Sequence, residues 1–241
     1  MNLSRRNLLI GAAAIVCALV ILSFRRLFSI YRRFVGGQTV EKVLSAHGAR
    51  ADRKWLPLFT KQGLNYPPRE IVLIATKLER KLEVWARGET AFRHITTYPI
   101  LGASGTIGPK LIEGDKQVPE GVYHVSSLNP NSEFYLSLEL DYPNEFDRAQ
   151  AAKDGRTKLG GDIFIHGGRA SIGCLAMGDE VIEELFILVA RTGRERCRVV
   201  IAPQEPTQAA FPAPVTQPIS WLPELHRLVL SELVQIRGGS L

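Results

Sequence analysis

Hydrophobic positions fall into three patterns along the chain. Residues 7–24, "NLLIGAAAIVCALVILSF", are almost wholly apolar, and a run of about 18 such residues is near the minimum for a membrane-spanning helix. From residue 70 onward the pattern changes to short runs rich in β-branched and aromatic residues. "EIVLIAT" (70–76), "KLEVWA" (81–86) and "AFRHITTYPI" (91–100) are separated by polar turns, as strands of a sheet are. "GVYHVSSL" and "EFYLSLEL" continue the series to Leu140, and the segment Asp162–His166 and "CRVVIAP" (197–203) supply two more strands. The third pattern is helical. Val181, Ile182, Leu185, Phe186 and Val189 recur at helical spacing, with Asp179 as the expected N-cap and Gly193 as the stop.

Two further stretches are weaker. Residues 39–62 read as a moderately helical stem ending at the "NYPP" breaker, and 221–236 as a short amphipathic helix. Between the last strand and that helix, "PQEPTQAAFPAPVTQP" (203–218) is a proline-rich linker. The expected organisation is a membrane anchor or uncleaved export signal over 1–34 and a helical stem over 35–68. A mainly β (α+β) domain follows over 69–203, then the linker and helix over 204–241. The fold expected for the domain is a β-sandwich or mixed sheet with a helix after the segment 164–179.

Charge sharpens the reading of the N-terminus. The chain carries 30 basic and 24 acidic residues, a net charge of +6. All six charged residues of 1–34 are arginines: Arg5, Arg6, Arg25, Arg26, Arg32 and Arg33. Without them, 24 basic residues balance the 24 acidic ones, so the domain has no basic excess with which to bind nucleic acid. The arginines flank the apolar run, as they do at a membrane span. "SRRNLL" (4–9) resembles a twin-arginine export signal. No small-residue cleavage site follows the run, which favours a retained anchor. The expected location is the bacterial inner membrane, with the domain on its periplasmic side.

Chemistry concentrates in "FIHGGRASIGCLAMGD" (164–179). His166 ends a strand, and Cys174 follows eight residues later beyond Gly167, Gly168 and Gly173. A cysteine near an imidazole or a helix N-terminus is an activated nucleophile, and Gly173 permits a sharp turn that frees its own amide and that of Cys174 for an oxyanion. Ser171 is placed to hydrogen-bond within the loop and orient the imidazole. The alternative is a small buried cysteine beside an ordinary strand end. No Cys-x-x-Cys pair exists, and no second histidine or cysteine lies close enough in sequence to suggest a metal. "LGASGTIGPK" (101–110) lacks the ending of a phosphate-binding loop.

The segment "IHGGRASIGCLAM" resembles the active site of L,D-transpeptidase catalytic domains of the YkuD type, and within them the short-loop, YafK-like branch. The resemblance extends through "LFTKQGLNYPP", "KLEVWA", "YPI", "GPKLIEGDKQVPEGVY", "LNPNSEFYLSL" and "YPNEFDRA" and covers about residues 55–202. It implies a nucleophile at Cys174, a general base at His166, an oxyanion donor at Gly173, and Ser171 at the Ser/Thr position of the motif. It further implies that Cys174 forms a thioester with a peptidoglycan stem peptide and passes it to an amine, with no metal or organic cofactor. Hydrolysis of such bonds and non-catalytic wall binding are the alternatives; a cytosolic redox role would require the opposite topology. The sequence departs from the commoner family pattern at Ile172, where a second histidine is usual, and at Ala176, where an arginine is usual. The residues then available to hold the substrate carboxylate are Arg169, Gly167, Lys110 and Lys116.

Overall fold

The computed structural model describes residues 37–207, 210–211 and 219–239. The apolar run 7–24 and its arginines lie outside these residues; among the described residues no helix is long and apolar enough to cross a membrane. The elements run α1 (Val40–Lys61), β1 (Ile71–Thr76), β2 (Lys81–Arg87), β3 (Phe92–Pro99), β4 (Gly121–Ser132), β5 (Tyr135–Leu140), α2 (Glu145–Lys153), β6 (Phe164–His166), β7 (Leu175–Ala176), α3 (Asp179–Thr192), β8 (Cys197–Ala202) and α4 (Leu222–Arg237).

The strands form one mixed sheet in the order β3-β2-β1-β8-β4-β5-β6-β7. The pairs β1–β8 and β6–β7 are parallel and the rest antiparallel. Strands β1 and β8 read as nearly continuous apolar runs, with Thr76 and Arg198 the exceptions, because both of their faces are covered. Ile71, Leu73, Ala75, Val199 and Ile201 face one core, shared with α1 and α3. Val72, Ile74, Val200 and Ala202 face a second core beneath α4, which supplies Leu225, Val229, Leu233 and Ile236. The C-terminal helix is thus the lid of the second core.

The α1 helix is also part of the fold. Val43, Ala51, Trp55 and Phe59 share one buried face, and the segment expected as a stem closes the first core. Trp55 Nε1 donates to Glu184 O of α3 at 3.0 Å. Arg191 of α3 holds Asp52 through two bonds of 2.7 and 2.5 Å. Sequence patterning understates this helix because its charged residues, Asp52 and Lys54 among them, are used against α3 rather than left in water. Trp55→Ala therefore costs the domain about 3–5 kcal/mol, read as a fall in the urea midpoint; a surface stem would show no such fall.

Two local features differ from expectation. Helix α2 has little apolar periodicity and is specified by its cap: Asn144 and Asp147 form a reciprocal capping box. Burial raises the Asp147 carboxyl to about 6. Asp179 does not cap α3: the N-cap is Gly178, with no side-chain cap bond, and the Asp179 carboxylate accepts instead from Gly168 N at 2.8 Å. This ties the glycine loop after β6 to the start of α3.

Candidate active site

The site forms where β6 and β7 lie side by side. Ile165 pairs with Leu175 and His166 with Ala176. Ile165, Leu175 and Met177 point into the first core. By the two-residue period of a strand, Cys174, Ala176 and His166 face the other way. The fold thus brings the cysteine and histidine of "FIHGGRASIGC" to one face of adjacent parallel strands, across a loop of seven intervening residues.

His166 is buried, with 1 % of its surface exposed. Its Nδ1 lies 2.6 Å from Gly167 O. A carbonyl only accepts, so Nδ1 carries the proton and Nε2 is left with a free lone pair. Burial lowers the imidazole pKa, partly offset by the bond to Gly167, so His166 is neutral at pH 7. The tautomer and charge are those of a general base. The ring of Phe134 stacks on it with centroids 4.5 Å apart and planes 30° apart.

Cys174 is a free, half-buried cysteine. Its Sγ donates to Asp162 O at 3.5 Å. Burial raises its pKa above the ordinary value; the Phe164 amide and Lys110 lower it, and Asp162 adds to the rise. The resting pair is therefore a neutral thiol and a neutral imidazole. A thiol ionised in advance, which the sequence pattern suggested, is not the resting state here, because the pocket desolvates the sulfur more than its neighbours stabilise a charge.

The remaining candidates fall into three groups. Ser171 binds the cysteine backbone and not the imidazole: its Oγ donates to Cys174 O at 2.5 Å and accepts from Cys174 N at 2.9 Å. Gly173 sits at φ +107°, a conformation that favours glycine. Its amide is not free, because it donates to Ser104 Oγ at 2.6 Å; Ser104 in turn donates to Lys116 O at 2.7 Å. Ser104 was not singled out from sequence, and only the tertiary approach of the 101–118 loop shows its part. Gly167 gives the loop room: a Cβ there would sit 2.6 Å from Phe134 O and 2.7 Å from Asp179 Oδ1, so only glycine lets the loop pass.

Lys110 is buried rather than solvated. Its ammonium bonds Asp115 Oδ1 at 2.5 Å and Ile112 O at 2.8 Å. Asp115 also accepts from the amides of Leu111, Ile112 and Gln117, and these bonds hold its carboxyl below the usual range despite partial burial. Lys110 is thus committed to folding its own loop. Arg169 and Lys116 are exposed, and the Arg169 side chain makes no hydrogen bond among the described residues. Of the cations named from sequence, Arg169 lies in the Cys–His loop with its charge uncommitted. Among the described residues no cluster of His, Cys, Asp and Glu could hold a metal ion.

Two cavities lie elsewhere. One of about 300 Å³ is bordered by Arg69, Arg87 and Arg93 and contains neither Cys174 nor His166. Another of about 180 Å³ is bordered by Lys77, Arg80, Ser104 and Thr106 and adjoins the Cys174 loop through the bond from Gly173 N to Ser104 Oγ.

Ser171→Ala removes both bonds that shape the Cys174 backbone. The expected result is about a tenfold slower modification of Cys174, matching 1–2 kcal/mol of lost positioning, with the His166 titration unmoved. Rates from intact-mass time courses beside Ser171→Thr would check this.

The sequence profile of L,D-transpeptidase catalytic domains, YkuD, matches residues 69–201. YafK of Escherichia coli (strain K12) is 34% identical over 138 residues, which cover 55% of this chain and 54% of that protein. The chain thus aligns with about half the length of the curated relatives it matches. Among solved structures, the helical cell shape determining protein Pgp2 of Campylobacter jejuni is 23% identical, with a TM-score of 0.47 over 58% of this chain and 50% of that one. L,D-transpeptidase 1 of Mycobacterium tuberculosis is 14% identical, with a TM-score of 0.31 over 55% of this chain and 62% of that one.

Proposed function

The chain belongs to the family of L,D-transpeptidase catalytic domains, YkuD, and from that premise we propose that it is a cysteine acyltransferase acting on peptidoglycan stem peptides. The observation that carries the reading is the Nδ1–H bond of His166 to Gly167 O, which leaves Nε2 as the base on the strand face shared with Cys174.

In this mechanism the Cys174 thiol gives its proton to His166 Nε2 as sulfur attacks the carbonyl of the L-centre of a diamino-acid residue. The carbonyl oxygen becomes an oxyanion and takes the place of Ser104 Oγ as acceptor of the Gly173 amide. The intermediate collapses to a thioester, and the leaving amine departs with the proton from His166. An amine of a neighbouring stem then loses a proton to Nε2 and attacks the thioester, releasing Cys174. Water in place of that amine makes the same site a hydrolase. In this reading Arg169, exposed within the loop between His166 and Cys174, is the cation that meets the substrate carboxylate.

Peptidoglycan lies outside the cytoplasm, so this chemistry requires the domain on the periplasmic side. In the same reading the arginine-flanked apolar run 7–24 is the inner-membrane anchor of the chain, and the side on which the domain lies follows from the substrate rather than from the run.

The test is product analysis by liquid chromatography and mass spectrometry after the full-length chain is incubated with purified disaccharide tetrapeptide. Cross-linked dimers support acyl transfer. Shortened stems alone support the hydrolase, and unchanged substrate with fully folded protein counts against both.

A further inference from the structure

The turn joining β4 to β5 is built to hold one aromatic ring. Phe134 is 44% exposed, yet its ring lies on the buried His166 imidazole. Its backbone is fixed on both sides: Phe134 N donates to Ser132 Oγ at 3.1 Å, and the next residue, Tyr135, has φ +79°. A bulky non-glycine residue avoids that conformation unless its surroundings impose it.

The surroundings are identifiable. The Tyr135 hydroxyl donates to Glu183 Oε1 of α3, and burial together with the Asp179 charge raises the Tyr135 pKa while Arg50 lowers it. Glu183 is buried and is held from α1 by Arg50 and by His47 Nδ1, the latter at 3.2 Å. The His47 ring also meets the Tyr135 ring edge-on, with centroids 6.4 Å apart. The charged and titratable groups facing this turn are thus His47 and Arg50 from α1, and Asp179 and Glu183 from α3.

We propose that Phe134 is a positioning residue for the His166 imidazole, and that Tyr135, clamped to Glu183, fixes where Phe134 lies. The proposal rests on His166 acting as the base. Stacking removes the freedom of the imidazole to rotate, so Nδ1–H stays on Gly167 O and Nε2 stays turned toward the nucleophile's face. The ring also covers one side of the imidazole from water, which favours its neutral form. The α1 helix thereby reaches the site without touching it, through Glu183, Tyr135 and Phe134 in turn.

The test uses the full-length chain and its Phe134→Ala, Phe134→Tyr and Tyr135→Phe variants. Long-range ¹H–¹⁵N NMR reads the His166 tautomer and pKa, and iodoacetamide alkylation at pH 7 reads Cys174 reactivity. In the wild type and in Phe134→Tyr, the Nδ1–H tautomer dominates and the ring-current shift of the imidazole Cε1 proton is present. In Phe134→Ala that shift is lost, the tautomers mix and the pKa rises toward the ordinary histidine value. Alkylation slows about 10- to 100-fold. Tyr135→Phe moves the same readouts less far. Phe134→Ala with an unchanged tautomer, pKa and alkylation rate would overturn the proposal. Because Phe134 is largely at the surface, an unchanged melting temperature separates positioning from damage to the fold. The NMR readouts do not depend on peptidoglycan turnover: a shifted tautomer in a chain that never forms cross-links supports the positioning role and counts against the acyltransferase reading alone.

Discussion

Cys174→Ser is expected to abolish acyl transfer, with the rate falling roughly 10⁴- to 10⁶-fold, as for loss of a nucleophile from other covalent catalysts. The substitution keeps the size of the side chain and the backbone bonds to Ser171 Oγ, so the folded state survives. An alcohol is a far weaker nucleophile than a thiol, and a site shaped around sulfur does not bring the shorter C–O bond to the same attacking position. The control is Cys197→Ser. Cys197 is fully buried in β8, where its Sγ donates to Gly193 O at 3.3 Å and burial pushes its pKa up. That variant loses stability and keeps activity. Steady-state turnover on disaccharide tetrapeptide, beside thermal melts of both variants, checks the pair of expectations.

His166→Gln is expected to cost about 10²- to 10⁴-fold at pH 7, and the loss has a pH signature. Burial holds the Cys174 pKa above its ordinary value of 9.0. Without a base, the thiolate fraction at pH 7 is then under about 1%, which by itself accounts for the lower end of that range. As pH rises toward the thiol pKa, hydroxide does the work of the imidazole. The variant's rate therefore climbs about tenfold per pH unit, while the wild type is flat above the lowered His166 pKa. Convergence of the two profiles at alkaline pH is the expected result. Parallel profiles would mean that His166 does not take the thiol proton.

Much of this architecture is legible in the sequence, and what is not has identifiable causes. Strands β1 and β8 announce themselves because two covered faces demand apolar residues at nearly every position, Thr76 and Arg198 excepted, and α3 because one buried face repeats every three to four residues. Helix α2 escapes periodicity because a polar cap specifies it. Strand β7 is two residues long, and only its partner β6 makes it a strand. His166 and Cys174 stand out in the sequence as a histidine and a cysteine flanking a glycine-rich loop, and it is the family resemblance rather than the spacing that implies their roles. Their supports do not stand out. Asp179 has the composition of an N-cap but bonds the glycine loop, Lys110 is a candidate for the substrate carboxylate but pairs with Asp115, and Ser104 and Phe134 reach the site only through tertiary contacts. Local sequence names a residue's chemistry; its partner depends on which strands lie side by side.

In the proposed reaction Cys174 becomes acylated by a stem peptide with His166 as its base. The most direct measurement is the intact mass of the full-length chain during incubation with disaccharide tetrapeptide, with the modified residue located by peptide mapping. The expected result is a thioester adduct on Cys174, lost with hydroxylamine, absent in Cys174→Ala and greatly slowed in His166→Gln. A chain that stays unmodified at Cys174, while iodoacetamide still alkylates that residue in folded protein, would contradict it.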